Sequence, residues 1–310
     1  MTMTEQLNAL GSILAQGSLH SLFQPIISLS ERRILGYEAL SRGPSNSPLH
    51  SPVALFAVAR HAGRLSELEI ACRESACRRF SAQKLPGKLF LNISPESLME
   101  TAHQPGRTLQ LLRDFGIPPS QVVIELTEQT PTDDFDLLQT ALHHYRDMGF
   151  AIALDDLGAG YSSLRLWSEL RPDYVKIDRH FIDGIHQDAL KREFVGSILQ
   201  IARASRAQVI AEGIELPEEL AVLTEMGVDL VQGYLLCRPQ EHPSQEARLM
   251  LPKPDNANIA LSEEGSDLSA LLNEQPAVDQ DTATALVLES FRRQAKDRKS
   301  TRLNSSHRLY

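Results

Sequence analysis

The chain is poor in cysteine, in long apolar runs and in positive charge, and each shortage removes a class of function. Three cysteines occur in 310 residues: Cys72 and Cys77, five apart on a predicted helix, and Cys237 alone. With no second CxxC-type pair, buried free thiols are expected rather than a zinc site or a disulfide framework. No apolar run approaches a membrane span, so no membrane segment is expected. The opening MTMTEQLNALGSILAQ has no positive n-region. Leu7, Leu10, Ile13 and Leu14 make it a short amphipathic helix over 1–17, not a signal peptide, and the chain is expected in the cytoplasm. Acidic residues outnumber basic ones 40 to 31, a net charge of −9, which argues against binding a nucleic-acid polymer. An anionic substrate would need a local cationic device.

Familiar catalytic signatures are missing too. There is no P-loop, HExxH or GxSxG. GAGYSS (158–163) begins like a dinucleotide fingerprint but has Ser163 where the third glycine belongs. His143 and His144 lack a paired ligand pattern and read as surface histidines.

What is present is an ordinary globular composition, 42% apolar and 23% charged, long enough for one large or two medium domains. SLFQPIISL and RILGYEAL form a hairpin-like start. KLFLNIS (88–94), VVIELTE (122–128), AIALDDLG (151–158), YVKID (174–178), VIAEGI (209–214) and LVQGYLL (230–236) follow, most of them separated by helical stretches. Continuous apolar strands between helices indicate a covered parallel sheet. Eight strands in about 220 residues suit a closed (β/α) barrel better than an open sheet, with the first strand running against the rest. After about residue 250 the composition shifts. Residues 251–267 read as a linker, 268–298 regain helical periodicity, and 299–310 look disordered or foreign to the natural protein.

Polar residues interrupt the apolar strands near their C-terminal ends: Glu38, Asn92, Glu125, Asp155 with Asp156, Lys176, Glu212 and Gln232. In a (β/α) barrel those ends converge on one face. Singly, each has a plain structural reading. Glu125 could be a satisfied core carboxylate, the two aspartates a helix cap, Lys176 the partner of a buried acid, and Glu212 and Gln232 turn residues. Together, five carboxylates at one mouth repel each other and lose hydration, so they must be protonated or held by cations. Divalent Mg²⁺ or Mn²⁺ suits these oxygen donors, and two such ions serve phosphodiester hydrolysis.

FQPIISLSERRILGYEALSRG, LFLNIS, IELTE, LDDLGAGYSSL, YVKIDRHFI, AEGIE and QGYLLCRP, in this order, resemble the motif set of the EAL domain over roughly residues 18–250. That bacterial family of cyclic-di-GMP phosphodiesterases takes its name from the triplet found here as Glu38-Ala39-Leu40. The resemblance implies an α/β, TIM-like (β/α)8 barrel with an antiparallel first strand, and hydrolysis of cyclic-di-GMP to linear pGpG. It implies that Glu38, Asn92, Glu125 and Asp155 hold a first metal, with Asp155 shared and Asp156 on a second. Lys176 and Glu212 would attend the attacking water, while Gln24, Leu40, Arg42 and Gln232 would contact substrate. Glu128 would steady the loop Leu157 to Leu164, which couples dimerisation to the site; Leu157 stands where phenylalanine is usual. Ca²⁺ is expected to permit binding but little hydrolysis. A homodimer is expected by the same resemblance. A receptor that binds the nucleotide without turnover, or a scaffold, are the rival readings; no motif is broken in the way the receptor reading requires. Residues 268–298 resemble the opening of a CBS-type ligand module, which would make the chain a fragment of a longer signalling protein.

Overall fold

The computed structural model describes residues 2–99, 105–127, 135–157, 163–247 and 250–251. The expected linker, CBS-like segment and tail, apart from Leu251, lie outside these residues, as do Glu128 and residues 158–162.

Helix α1 (Met3–Gln16) forms where the sequence predicts it. Thr2 and Glu5 cap each other's backbone N–H groups at its start, and Gly17 ends it at φ +59°. Its Leu10 and Ile13 pack with Leu55 and Val58 of α2 (Pro52–His61) and Leu68 of α3 (Leu65–Gln83) in a small satellite core.

The barrel strands are β1 (His20–Ser28), β2 (Arg33–Arg42), β3 (Lys88–Ile93), β4 (Val122–Thr127), β5 (Ala151–Leu157), β6 (Tyr174–Ile177), β7 (Gln208–Ala211) and β8 (Leu230–Val231). Helices α4 (Pro95–Met99) and α5 (Pro105–Asp114) follow β3, and α6 (Phe135–Asp147) follows β4. Next come α7 (Ser163–Leu170) after β5, α8 (Arg179–Ile182) and α9 (Ala189–Ser205) after β6, and α10 (Pro217–Glu225) after β7. The sheet closes in sequence order, and β1 runs antiparallel to both β2 and β8 while all other pairs are parallel. The expected barrel with its reversed first strand is thus observed. Two boundaries need correction: VIAEGI (209–214) pairs only to Ala211, and the end of the last strand moves further. LVQGYLL was expected to be a strand throughout, but only Leu230–Val231 pairs, because the chain turns at Gly233, where a Cβ would lie 2.1 Å from the Ile214 carbonyl oxygen.

The outward faces of the strands and the helices share the main core, which includes Leu89, Ile124, Ile152, Val175 and Trp167. Burying such side chains contributes about 1.5–3 kcal/mol each. Inside the barrel lies a separate apolar layer with one side chain from every strand: Ile26, Leu35, Phe90, Val123, Ala153, Tyr174, Ile210 and Leu230. Because side chains alternate with period two, the residue two positions further on faces the same interior. That step leads from the apolar plug to Asn92, Glu125, Asp155, Lys176, Glu212 and Gln232. On reversed β1 it leads back to Gln24, which pairs with Glu38; Glu38 lies three positions beyond Leu35, because the β1–β2 register shifts between Ile26 and Ile27. The plug closes the barrel beneath a polar layer.

Among the described residues no helix is long and apolar enough to cross a membrane. Cys72 and Cys77 are buried and free, Cys237 is free and part-exposed, and His143 and His144 are exposed.

Candidate metal and hydrolytic site at the barrel mouth

The polar layer is organised around one ammonium. Lys176 Nζ lies 2.6 Å from Glu212 Oε1, 2.8 Å from Glu125 Oε1, 3.1 Å from Asp155 Oδ1 and 3.3 Å from Glu38 Oε2. The lysine side chain is 1% exposed and that of Glu125 fully buried. Glu38 is also held by Gln232 Nε2, which donates to Oε2 at 2.8 Å, and by Asn92 Nδ2, which donates to Oε1 at 3.2 Å. Four strands and the hairpin therefore meet on one carboxylate–ammonium cluster.

Asp155 and Asp156 would point to opposite faces of a regular strand. Asp156 instead adopts φ +56°, and the β5–β6 register breaks between Leu154 and Leu157. This left-handed kink, which aspartate tolerates better than most residues, brings both carboxylates to the same space. One oxygen each from Asp155, Asp156 and Glu212 lie within 4.8 Å of one another.

The charge balance is uneven. Burial tends to raise the Glu38 carboxyl, but Lys176, Gln232 and Asn92 outweigh it and hold it below the ordinary range. Burial drives Glu125 well above that range, Lys176 only partly opposing it while Glu38 and Asp155 add to the rise. Asp155 is pushed up to about 6 by the same burial, and Glu212 also rises well above its usual value. Burial alone would lower Lys176, but Asp155, Glu125, Glu212 and Glu38 together hold it well above its usual value. One lysine does not neutralise this group. Glu125 Oε2 and the Gln232 Oε1 are buried with no hydrogen-bond partner. Orphaned oxygens among buried acidic side chains, most of whose carboxyls burial shifts upward, match the donor set of a hard divalent cation, so the residues fit the expected metals.

The sequence-predicted substrate residues surround this cluster. Gln24, Glu38, Leu40, Glu212 and Gln232 line a cleft of about 200 Å³, with Tyr234 as an exposed wall. Leu40 also borders a larger hollow of about 430 Å³, shared with Arg42, Phe56 and Asn92. Gln24 Nε2 donates to the Cys237 carbonyl at 3.1 Å, which ties β1 to the segment after β8. Of the expected site residues that the structure describes, all but Arg42 belong to the cluster or line the smaller cleft, and Arg42 lines the larger hollow.

Sequence reading missed several residues that shape it. Arg179 and Glu215 form an ion pair at the rim of the smaller cleft (3.0 Å), and the Arg238 guanidinium lies 4.3 Å over the Tyr234 ring. Glu69 and Arg73 of α3, each 3% exposed, pair beneath the larger hollow, and Glu69 accepts from the Ser94 N–H just after β3. Their i,i+4 spacing was visible in LEIACR, but nothing there distinguishes a buried pair from a solvated one.

This mouth, with its reversed first strand, defines a class. The EAL domain family matches residues 6–239, and the chain belongs to that family. It is 32% identical over 239 residues to the Escherichia coli (strain K12) "Cyclic di-GMP phosphodiesterase PdeF", covering 76% of this chain and 32% of that one. The chain spans about a third of the length of the first curated relatives it matches. Among solved structures, the manganese/cy-diGMP complex of Klebsiella pneumoniae BlrP1 at pH 9.0 aligns at TM-score 0.67 and 31% identity, covering 72% of this chain and 56% of that one. The c-di-GMP-bound form of a standalone EAL protein from Vibrio cholerae O395 aligns at TM-score 0.66 and 29% identity, covering 73% and 94%.

Proposed function

We propose that this chain is a cytoplasmic, metal-dependent phosphodiesterase that hydrolyses cyclic-di-GMP to linear pGpG. The observation that carries the reading is the under-neutralised carboxylate layer around Lys176 at a solvent-accessible barrel mouth. The phosphodiesterase name of the E. coli relative and the manganese and nucleotide in the K. pneumoniae structure support it. Glu38, Asn92, Glu125 and Asp155 would hold one Mg²⁺ or Mn²⁺, and Asp155 and Asp156 a second. Bound there, the ions supply Lewis acidity at the phosphate and a more acidic water.

The chain's own groups supply the rest. Arg42 clamps a phosphate oxygen through charge-assisted hydrogen bonds. Gln24, Leu40 and Gln232 hold the substrate along the cleft. Glu212, fixed against Lys176, takes up the proton of the attacking water, and the Lys176 ammonium orients that water and offsets the growing negative charge. Attack on phosphorus breaks one P–O3′ bond and leaves a 5′-phosphate, hence pGpG. The proposed assembly is a homodimer; Leu190, Phe194 and Ile201 of α9 and Leu164 of α7 are among the exposed apolar side chains of the described residues.

The test is to incubate the protein with cyclic-di-GMP and Mg²⁺ or Mn²⁺ and separate the products by chromatography. Accumulating pGpG supports hydrolysis. Tight binding without product, matched by Glu38→Ala, assigns a receptor instead. Ca²⁺ should permit binding with little turnover, since its looser coordination positions water poorly; equal turnover with Ca²⁺ contradicts the proposed site.

A further inference from the structure

We infer that Glu219 is a positioning residue that locks the loop carrying Glu212 to the segment that follows Lys176. The inference rests on the hydrolytic reading above for its consequence, but its geometry stands alone. Glu219 lies in the first turn of α10 and is 1% exposed. Its Oε2 accepts from the backbone N–H groups of Glu215 and Leu216, both at 3.0 Å, and its Oε1 accepts from the Gly184 N–H at 2.9 Å. Among the described residues no lysine or arginine forms an ion pair with it. A buried carboxylate is thus held by three backbone donors from two different loops and by the positive end of α10.

Both loops lead directly to the reacting groups. Gly184 follows α8, which starts three residues after Lys176. Glu215 and Leu216 follow β7 and Glu212, whose own N–H donates to the Ile177 carbonyl at 3.2 Å. The Ile214 N–H donates to the Gln232 carbonyl, so the same loop also borders β8. Gly213, at φ +67°, lies against the Arg179 side chain so closely that a Cβ there would be 2.5 Å from Arg179 Cγ. A second link between the loops, Arg179 to Glu215, is 52% and 38% exposed, and exposed ion pairs hold little. The buried Glu219 bonds are therefore the stronger clamp. Releasing them lets the two loops shift against each other and loosens the 2.6 Å contact between Lys176 and Glu212.

Glu219→Gln separates this role from helix capping. Its amide oxygen can still accept from Glu215 and Leu216, but its NH₂ group cannot accept from Gly184. Amide hydrogen exchange and steady-state kinetics on the metal-loaded protein read the two effects separately. Exchange at Gly184 should rise about tenfold in Glu219→Gln while Leu216 stays protected, and kcat should fall about tenfold with KM changed less than about twofold. Glu219→Ala should expose both amides and lose more of kcat. Wild-type kcat in Glu219→Gln, a loss confined to KM, or unchanged exchange at Gly184 would each overturn the inference. If the wild type releases no pGpG, the hydrolytic reading fails instead, and the exchange data still decide whether the clamp exists.

Discussion

Lys176 and Glu125 meet at 2.8 Å in the closed interior of the barrel, one side chain 1% and the other 0% exposed. An ion pair so fully withdrawn from water is held only if its surroundings complete it. Here three further carboxylates share the ammonium, and oxygens remain without partners. The cluster is a site arranged for more positive charge than the chain itself supplies.

Removing the lysine should expose that shortage. Lys176→Met leaves buried carboxylates with no cation and should cost about 3–5 kcal/mol in urea unfolding of metal-free protein. Turnover should fall by at least about 10²-fold. Added Mg²⁺ should restore part of the stability without restoring turnover. Unaltered urea midpoints would show that Lys176 does not hold the cluster.

The contribution of Asp155 to the stability of the metal-free protein should fall as pH rises from about 4 to about 6. Burial raises Asp155 from 3.8 to about 6, so the native state binds its proton more tightly than the unfolded chain does. A raised carboxyl stabilises the fold below its unfolded value, and that contribution disappears as pH rises through its folded value, a change on the order of 2–3 kcal/mol. Asp155→Asn should gain on wild type across this window when urea midpoints are compared after chelation. Parallel curves for the two proteins would refute the assignment.

At the opposite end of the barrel, Asp229 gives a control away from the chemistry. It accepts from the Ser30 N–H at 2.8 Å and the Ser28 hydroxyl at 2.9 Å, which ties β8 to reversed β1. Burial would raise its carboxyl, but these donors hold it below the usual range. Asp229→Ala should cost about 1–2 kcal/mol at neutral pH with kcat unchanged. Its stabilising effect is present above the unfolded pKa and lost as pH falls through the folded one, so the deficit should shrink in acid. A deficit that stays constant down to pH 3 would rule out this account of its ionisation.

Gly233→Ala should damage the site through the backbone. The new Cβ would lie 2.1 Å from the Ile214 carbonyl oxygen and 2.4 Å from its nitrogen, so the Glu212 loop or the β8 turn must move. Overpacking of this kind costs about 1–3 kcal/mol. Activity should fall more than stability, because Gln232 and Glu212 both border the displaced atoms. Near-normal turnover at reduced stability would show that the loop can adjust without disturbing the site.

The barrel was readable from the sequence because its buried strands are apolar runs, and the site because each run is broken at one polar position. Two features hid from that logic. Beyond Val231 the apolar character of QGYLL continues, yet tight contact at Gly233 ends the strand, and hydropathy carries no record of such close approach. Glu219 sits in PEEL, which reads as a solvated helix start. Leu216 at the cap position offers no side-chain acceptor to mark the glutamate's inward role. Two of its donors are the neighbouring Glu215 and Leu216 N–H groups, but the third, Gly184, lies 35 residues away, a contact that only folding creates.

On the proposed mechanism, the acidic mouth works by taking up divalent cations. Its most direct test is the rate of pGpG release from cyclic-di-GMP by chelator-treated protein, before and after Mg²⁺ is restored. Release should be negligible until Mg²⁺ returns and complete afterwards; release that proceeds equally well under chelation would rule out a metal-dependent site.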